Sequence, residues 1–253
     1  MRTWGTGPRH FLGLHGWAAD HSTFEHLLAY MPTDCTLHAP DLPGYGQSAR
    51  MPAWSLEALE QSLEEIVLGL PVDQDLTILG SCSGAILALC GLHKRVEQLG
   101  ITRMFLLEPF AFLPAYLSVF TAPVLGPVAY WSAFCNPVGR AITDANIKRQ
   151  DIADHHGTSA SFDMVDPWVP YHYLQLMKAQ GAPQQFAQMP CAVDLVHGEH
   201  TFDAIVDGIP IWQSTWPHAR THRLEGVGHM LIQEAPEALA RVLFAPKGEH
   251  TVP

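Results

Sequence analysis

The chain has no apolar run long enough to span a bilayer, and its start, MRTWGTGPRH, carries no apolar signal core. Neither a membrane span nor a secretory leader is expected. Positive charge is scarce: 14 Lys and Arg stand against 25 Asp and Glu, for a net charge of -11. That balance argues against nucleic acid or an anionic membrane as the main partner. There is no CxxC pair and no Cys/His cluster at metal-ligand spacing, so no metal and no cofactor are expected. The five cysteines (Cys35, Cys82, Cys90, Cys135, Cys191) are odd in number and irregularly spaced. A reduced, cytoplasmic protein is predicted rather than a disulfide scaffold. Repeats and low-complexity segments are missing too. What is present is 253 residues, 47% hydrophobic and only 15% charged, enough for one large α/β domain or two small ones around a sizeable core.

Short apolar runs alternate with helical ones. His10–Leu14 reads as a strand ending in His15-Gly16-Trp17, with a helix expected from about Ser22 to Met31, Ser22 as N-cap and Glu25 completing a capping box. Thr36–Ala39 reads as a second strand, running into the turn Asp41-Leu-Pro-Gly-Tyr-Gly-Gln-Ser48, where Asp41 is expected to be a structural turn former. Ser55 caps a helix over about Leu56–Leu70, and Arg103–Leu107 and Cys191–Val196 read as buried strands. This alternation predicts a mostly parallel sheet covered on both faces. From about Pro109 to Met189 the pattern gives way to aromatics, prolines and short helical runs. The predicted division is a core over 1–108 and 190–253 with an inserted helical cap over 109–189.

Chemistry concentrates at Gly80-Ser81-Cys82-Ser83-Gly84. A β-type run (Leu76, Ile78, Leu79) stops at this glycine-flanked tripeptide and a helix-forming run follows. Such a strand, sharp turn and helix form a nucleophile elbow, which holds its central side chain above the sheet. That residue is usually serine and here is cysteine.

The order HGW, DLPGYGQS, GSCSG, cap, HGE, GVGHM resembles the α/β-hydrolase fold over nearly the whole chain, and most nearly the small cap-bearing esterases of the pimeloyl-carrier-protein methyl esterase type. The resemblance implies Cys82 as nucleophile and His229, in Gly226-Val-Gly-His-Met230, as general base. It implies an oxyanion hole from the backbone N–H groups of Trp17 and Ser83. His15 is expected to brace its loop, and His15, Gly16, Tyr116, Trp131 and Phe134 to border the substrate. The pattern also implies an aspartate just after His197-Gly198, but Thr201 stands there. Asp203 is narrowly preferred as the acid, with Glu108, at the end of the preceding strand, as the alternative. A Cys–His dyad without an acid is the third reading.

A thiolate nucleophile favours thioesters and activated esters. The expected function is hydrolysis of an ester or thioester of an apolar acyl group through an acyl-Cys82 intermediate. The alternatives are an acyltransferase or cyclase, and a receptor or lyase in which Cys82 is never acylated. The substrate is expected to be a small molecule or carrier-tethered. Arg140, Lys148 and Arg149, three cations within ten positions of an acidic chain, are a candidate dock for an acyl-carrier protein.

Overall fold

The structure, a computed structural model, describes residues 1–72, 74–149 and 165–246, without the side chains of residues 144 and 146–149. Seven strands form one sheet: β1 (Arg2–Gly5), β2 (Arg9–Leu14), β3 (Cys35–Ala39), β4 (Leu76–Ser81), β5 (Ile101–Leu107), β6 (Ala192–Gly198) and β7 (Arg220–Leu224). Their order is β1-β3-β2-β4-β5-β6-β7. All neighbours run parallel except β1, which pairs antiparallel with β3.

Alternate side chains of the central strands enter two apolar layers. Leu12, Leu14, Ile78, Met104, Leu106 and Leu195 face one side, and Phe11, Leu79, Phe105, Leu107 and Val196 the other. Both faces are dry, which is why these strands read as unbroken apolar runs. Helix α1 (Leu56–Leu68) buries Leu59, Leu63 and Val67, and Ser55 caps it as expected by accepting from Ala58 N–H at 3.2 Å. In α2 (Ser83–Leu92) every residue is buried. The segment His21–Tyr30 is 3-10 rather than α-helical. Its cap is Asp20, which accepts from Ser22 N–H, so the expected Ser22 capping box does not form.

Two edge strands lack an apolar signature and are additions to the sequence reading. β1 is mostly exposed. β7 reads Arg-Thr-His-Arg-Leu and is held by polar contacts instead. Asp194, fully buried on β6, accepts from Arg103 at 2.8 Å, Arg220 at 3.1 Å and His222 at 2.8 Å. Desolvation opposes its charge, but the bonds from His222 and Arg103 prevail and hold the carboxyl well below the usual range.

Between β5 and β6 the described residues form helices alone: α3 (Ala115–Ser118), α4 (Leu125–Tyr130), a π-helical turn Trp131–Cys135, α5 (Pro137–Arg149) and α6 (Trp168–Ala179). Tyr173 of α6 donates to Pro43 O at 2.9 Å, tying this insert to the Asp41 turn. Among the described residues no single helix is long and apolar enough to cross a membrane. Ala115–Thr121 and Leu125–Cys135 would suffice together but bend by 117°. After β6 come α7 (Asp203–Val206), α8 (Gly208–Thr215), α9 (Leu231–Glu234) and α10 (Pro236–Leu243).

Candidate active site

Cys82 alone joins β4 to α2, at φ 53° and ψ -119°. A non-glycine residue there costs on the order of 1–3 kcal/mol, which the surrounding packing sustains. The two glycines are required by proximity. A Cβ on Gly80 would lie 2.5 Å from Ala85 Cα, and one on Gly84 would lie 2.2 Å from Leu14 O. With both absent, the start of α2 drops against β2 and β4 and aims its positive end at the Cys82 side chain. Across from it, a Cβ on Gly16 would be 3.3 Å from Cys82 Cβ, so the loop after β2 passes in contact.

His229 lies on the loop after β7, its side chain 12% exposed. Glu234 holds this loop on both sides of the imidazole, accepting from Gly228 N–H at 2.7 Å and Met230 N–H at 3.0 Å. The ring meets Phe202 edge-on at 4.7 Å between centroids. His229 Nδ1–H donates to Glu108 Oε2 at 2.9 Å, and the ring is near enough to Cys82 for the charge of each to act on the other. Burial alone would disfavour a charged imidazole. The Cys82 charge and hydrogen bond, followed by those of Glu108, outweigh it and push His229 up to about 10. The imidazole is thus held in its charged form by Cys82 and by the bond to Glu108.

The carboxylate in that line is Glu108, and this corrects the preference for Asp203. Asp203 opens α7 exposed to solvent, and no contact joins it to His229. Glu108 continues β5, donates its amide to Val196 O at 2.8 Å, then turns left-handed at φ 57° and is 2% exposed. Its Oε1 accepts from Gly198 N–H at 2.6 Å, while Oε2 also accepts from the Thr201 hydroxyl. Thr201 and Glu234 were not singled out in the sequence as site residues. The signal for Thr201 was its standing where an aspartate is expected. For Glu234 it was a glutamate following a loop by one helical turn, as in a capping box.

The other predicted residues divide. Trp17 follows Gly16, the residue that passes closest to Cys82, and its Nε1–H donates to Pro170 O at 2.7 Å, linking the loop to α6. The amide of Ser83 opens α2, where helical geometry offers it no partner within the helix. Phe134 is buried against Trp17 at 5.1 Å, whereas Trp131 is half exposed. Tyr116 is half exposed, and its hydroxyl is near enough to Cys82 and Asp203 to feel their charge. Desolvation and the Cys82 and Asp203 charges push that hydroxyl up to about 12.

Of the two roles expected of His15, the bonds it makes are those of a brace. It is fully buried, donates from Nδ1 to Gly16 O at 2.9 Å and accepts at Nε2 from Leu42 N–H at 2.9 Å. Asp41 accepts from the His21 amide at 3.0 Å and its ring at 2.6 Å, as a turn former does. Asp20, His21 and Asp41 bring donor atoms within 4.8 Å of one another, the sole such group among the described residues. Those atoms are already engaged in the turn and in the bonds from Ser22 to Asp20. Arg140 is partly buried, and the side chains of Lys148 and Arg149 lie outside the described ones.

The profile of the alpha/beta hydrolase family matches residues 11–242. Pimeloyl-acyl-carrier-protein methyl ester esterases are similar over a short stretch. That of Klebsiella pneumoniae is 39% identical over 64 residues, 25% of each chain, and that of Vibrio vulnificus 41% over 64 residues, 25% of each. The similarity thus spans about a quarter of these relatives' length. In three dimensions the chain is similar to an esterase from Exiguobacterium antarcticum, with TM-score 0.74, 15% identity and coverage of 96% of this chain and 92% of that one. MenH from S. aureus gives TM-score 0.73, 14% identity and 95% coverage of both. The profile match runs from β2 to α10, and the chain belongs to the alpha/beta hydrolase family.

Proposed function

We propose that this protein hydrolyses an ester or thioester of an apolar acyl group through a covalent acyl-Cys82 intermediate. The observation that carries this is Cys82 at the strained elbow beside His229, an imidazole whose charged form it favours and whose Nδ1 is bonded to Glu108. The Cys82 thiolate attacks the carbonyl carbon. The oxyanion is received by the N–H groups of Trp17 and Ser83. Protonated His229 gives its proton to the departing alkoxide or thiolate, leaving acyl-Cys82 and a neutral imidazole. The imidazole then takes a proton from water as the oxygen attacks the thioester. Collapse expels the Cys82 thiolate, releases the acid and restores the imidazolium. Glu108 fixes the ring through Nδ1 and stabilises its charge throughout.

The insert over 109–189 acts as the cap in this reading. Support for an apolar acyl group comes from the aromatic cluster of the insert, where Phe134 packs on Trp17 beside the elbow loop. The methyl esterase relatives suggest a carrier-tethered acyl group. Docking of an acidic carrier at Arg140, Lys148 and Arg149 has its support in their sequence spacing. All five cysteines are free, which suits a reducing, cytoplasmic setting. The limited exposure of His229 favours one further reading, transfer of the acyl group to an acceptor other than water.

Intact-protein mass spectrometry during turnover of graded acyl thioesters and p-nitrophenyl esters tests the proposal. An acyl adduct on Cys82 in the wild type, absent from Cys82→Ala, is expected. Turnover by Cys82→Ala, or binding with neither adduct nor product, overturns it. Product analysis with an added alcohol or amine separates hydrolysis from transfer.

A further inference from the structure

Thr201 occupies the place where the sequence pattern leads one to expect an acid, yet it has not become a bystander. It is 8% exposed, in the turn between β6 and α7. Its hydroxyl donates to Glu108 Oε2, the same oxygen that accepts from His229 Nδ1–H. Its Oγ1 also stands 3.5 Å from His229 Nδ1, too far for a good bond but within one atom's reach of it. The Glu108 carboxylate is buried on a backbone held left-handed, so its rotamer rests on its bonds. Gly198 N–H fixes one oxygen, and Thr201 is the side chain that fixes the other.

We propose that Thr201 is a positioning residue that aims Glu108 Oε2 at His229, and that positions 108 and 201 are interchangeable seats for one acid. The inference rests on the Cys82–His229 reading of the site. Two consequences separate it from plain packing. The hydroxyl matters rather than the methyl group, and an acid restored at 201 works once the charge at 108 is removed. With both carboxylates present, two like charges would crowd one nitrogen and one of them would hold a proton. The single Thr201→Asp variant is therefore not the informative one.

The experiment compares Thr201→Val, Thr201→Ser, Glu108→Gln and the double variant Glu108→Gln/Thr201→Asp. Thr201→Val should lower kcat about ten-fold, the usual scale for one hydrogen bond to a charged group, with KM little changed. A carboxylate aimed away from the ring supports its charge less, so the alkaline limb of the rate–pH profile should move to lower pH. Thr201→Ser should restore both. The double variant should exceed Glu108→Gln by at least about ten-fold. A second readout needs no substrate: the pH dependence of Cys82 alkylation by iodoacetamide, located by peptide mass spectrometry. Thr201→Val should shift that profile and Thr201→Ser should not.

A wild-type profile in Thr201→Val, equal impairment by Ser and Val, or no gain in the double variant overturns the inference. If Thr201→Val does not fold by circular dichroism, the serine and double variants decide. If the wild type turns over no acyl substrate while its alkylation profile still follows these variants, the hydrolase reading fails and the positioning role stands.

Discussion

The sheet and the insert after β5 use apolar residues to opposite ends. In the sheet, Leu12, Ile78, Met104 and Leu106 are fully buried, and the strands alternate between two dry layers. In the insert, not one Asp, Glu, Lys or Arg occurs from Pro109 to Gly139, yet much of that apolar surface is open. Val124 is 85% exposed, Leu125 70% and Val128 63%. Val124 even takes a left-handed backbone, which a β-branched residue adopts only at a cost. The regular layers stabilise the fold and hold Cys82 and Glu108. The irregular helices meet the loop after β2 through Phe134 on Trp17. Burial is thus complete in one part of the chain and left open in the other.

The largest test of that division is chemical. Glu108→Gln should lower the rate by about 10²–10⁴-fold, and Asp203→Asn, on the insert-facing turn, should stay near wild type in steady-state assays. The reverse result would move the acid off the sheet. On the alkaline side, wild-type activity should hold until pH approaches about 10, where His229 gives up its proton. Next comes the core. Leu106→Ala on β5 should cost about 2–5 kcal/mol in urea unfolding, since it empties space in the apolar layer on one face of the sheet.

The third effect is pH-dependent. Desolvation lowers His15 from 6.5 to about 4, against smaller opposing contributions from its bond to Gly16 and nearby Asp41. The unfolded chain therefore binds a proton that the folded one refuses, and stability falls as pH drops from about 6.5 to about 4. The contribution is on the order of 3 kcal/mol. His15→Gln should be less stable at pH 7 but lose less between pH 7 and 4.5 by thermal melts. The smallest effect should come from the insert. Val128→Ser should change stability by no more than about 0.5 kcal/mol while leaving kcat intact. A larger loss would mean that its exposed face is covered in solution.

The same contrast governs what could be read from the sequence. β2 to β6, α1 with its Ser55 cap and the Cys82 elbow were legible because period and turn chemistry are local. β7 was not, since its place depends on Asp194 two strands' worth of chain away meeting Arg103, Arg220 and His222. The Ser22 cap failed because Asp20, two residues earlier, offers the better acceptor for the same amide. Glu108 and Asp203 could not be ranked by spacing. Their difference lies in parallel pairing, where Leu107 sits opposite Val196 and delivers the next residue to the His229 loop.

The amides of Cys82 and Glu108 are each the last rung of a ladder, bonded at 2.8 Å to Leu107 O and Val196 O. His229 has no such rung and hangs from a loop gripped by Glu234. On warming, the loop will let go before the sheet does. Over the interval between, sulfur and carboxylate would stay in register on the sheet while the imidazole between them is adrift.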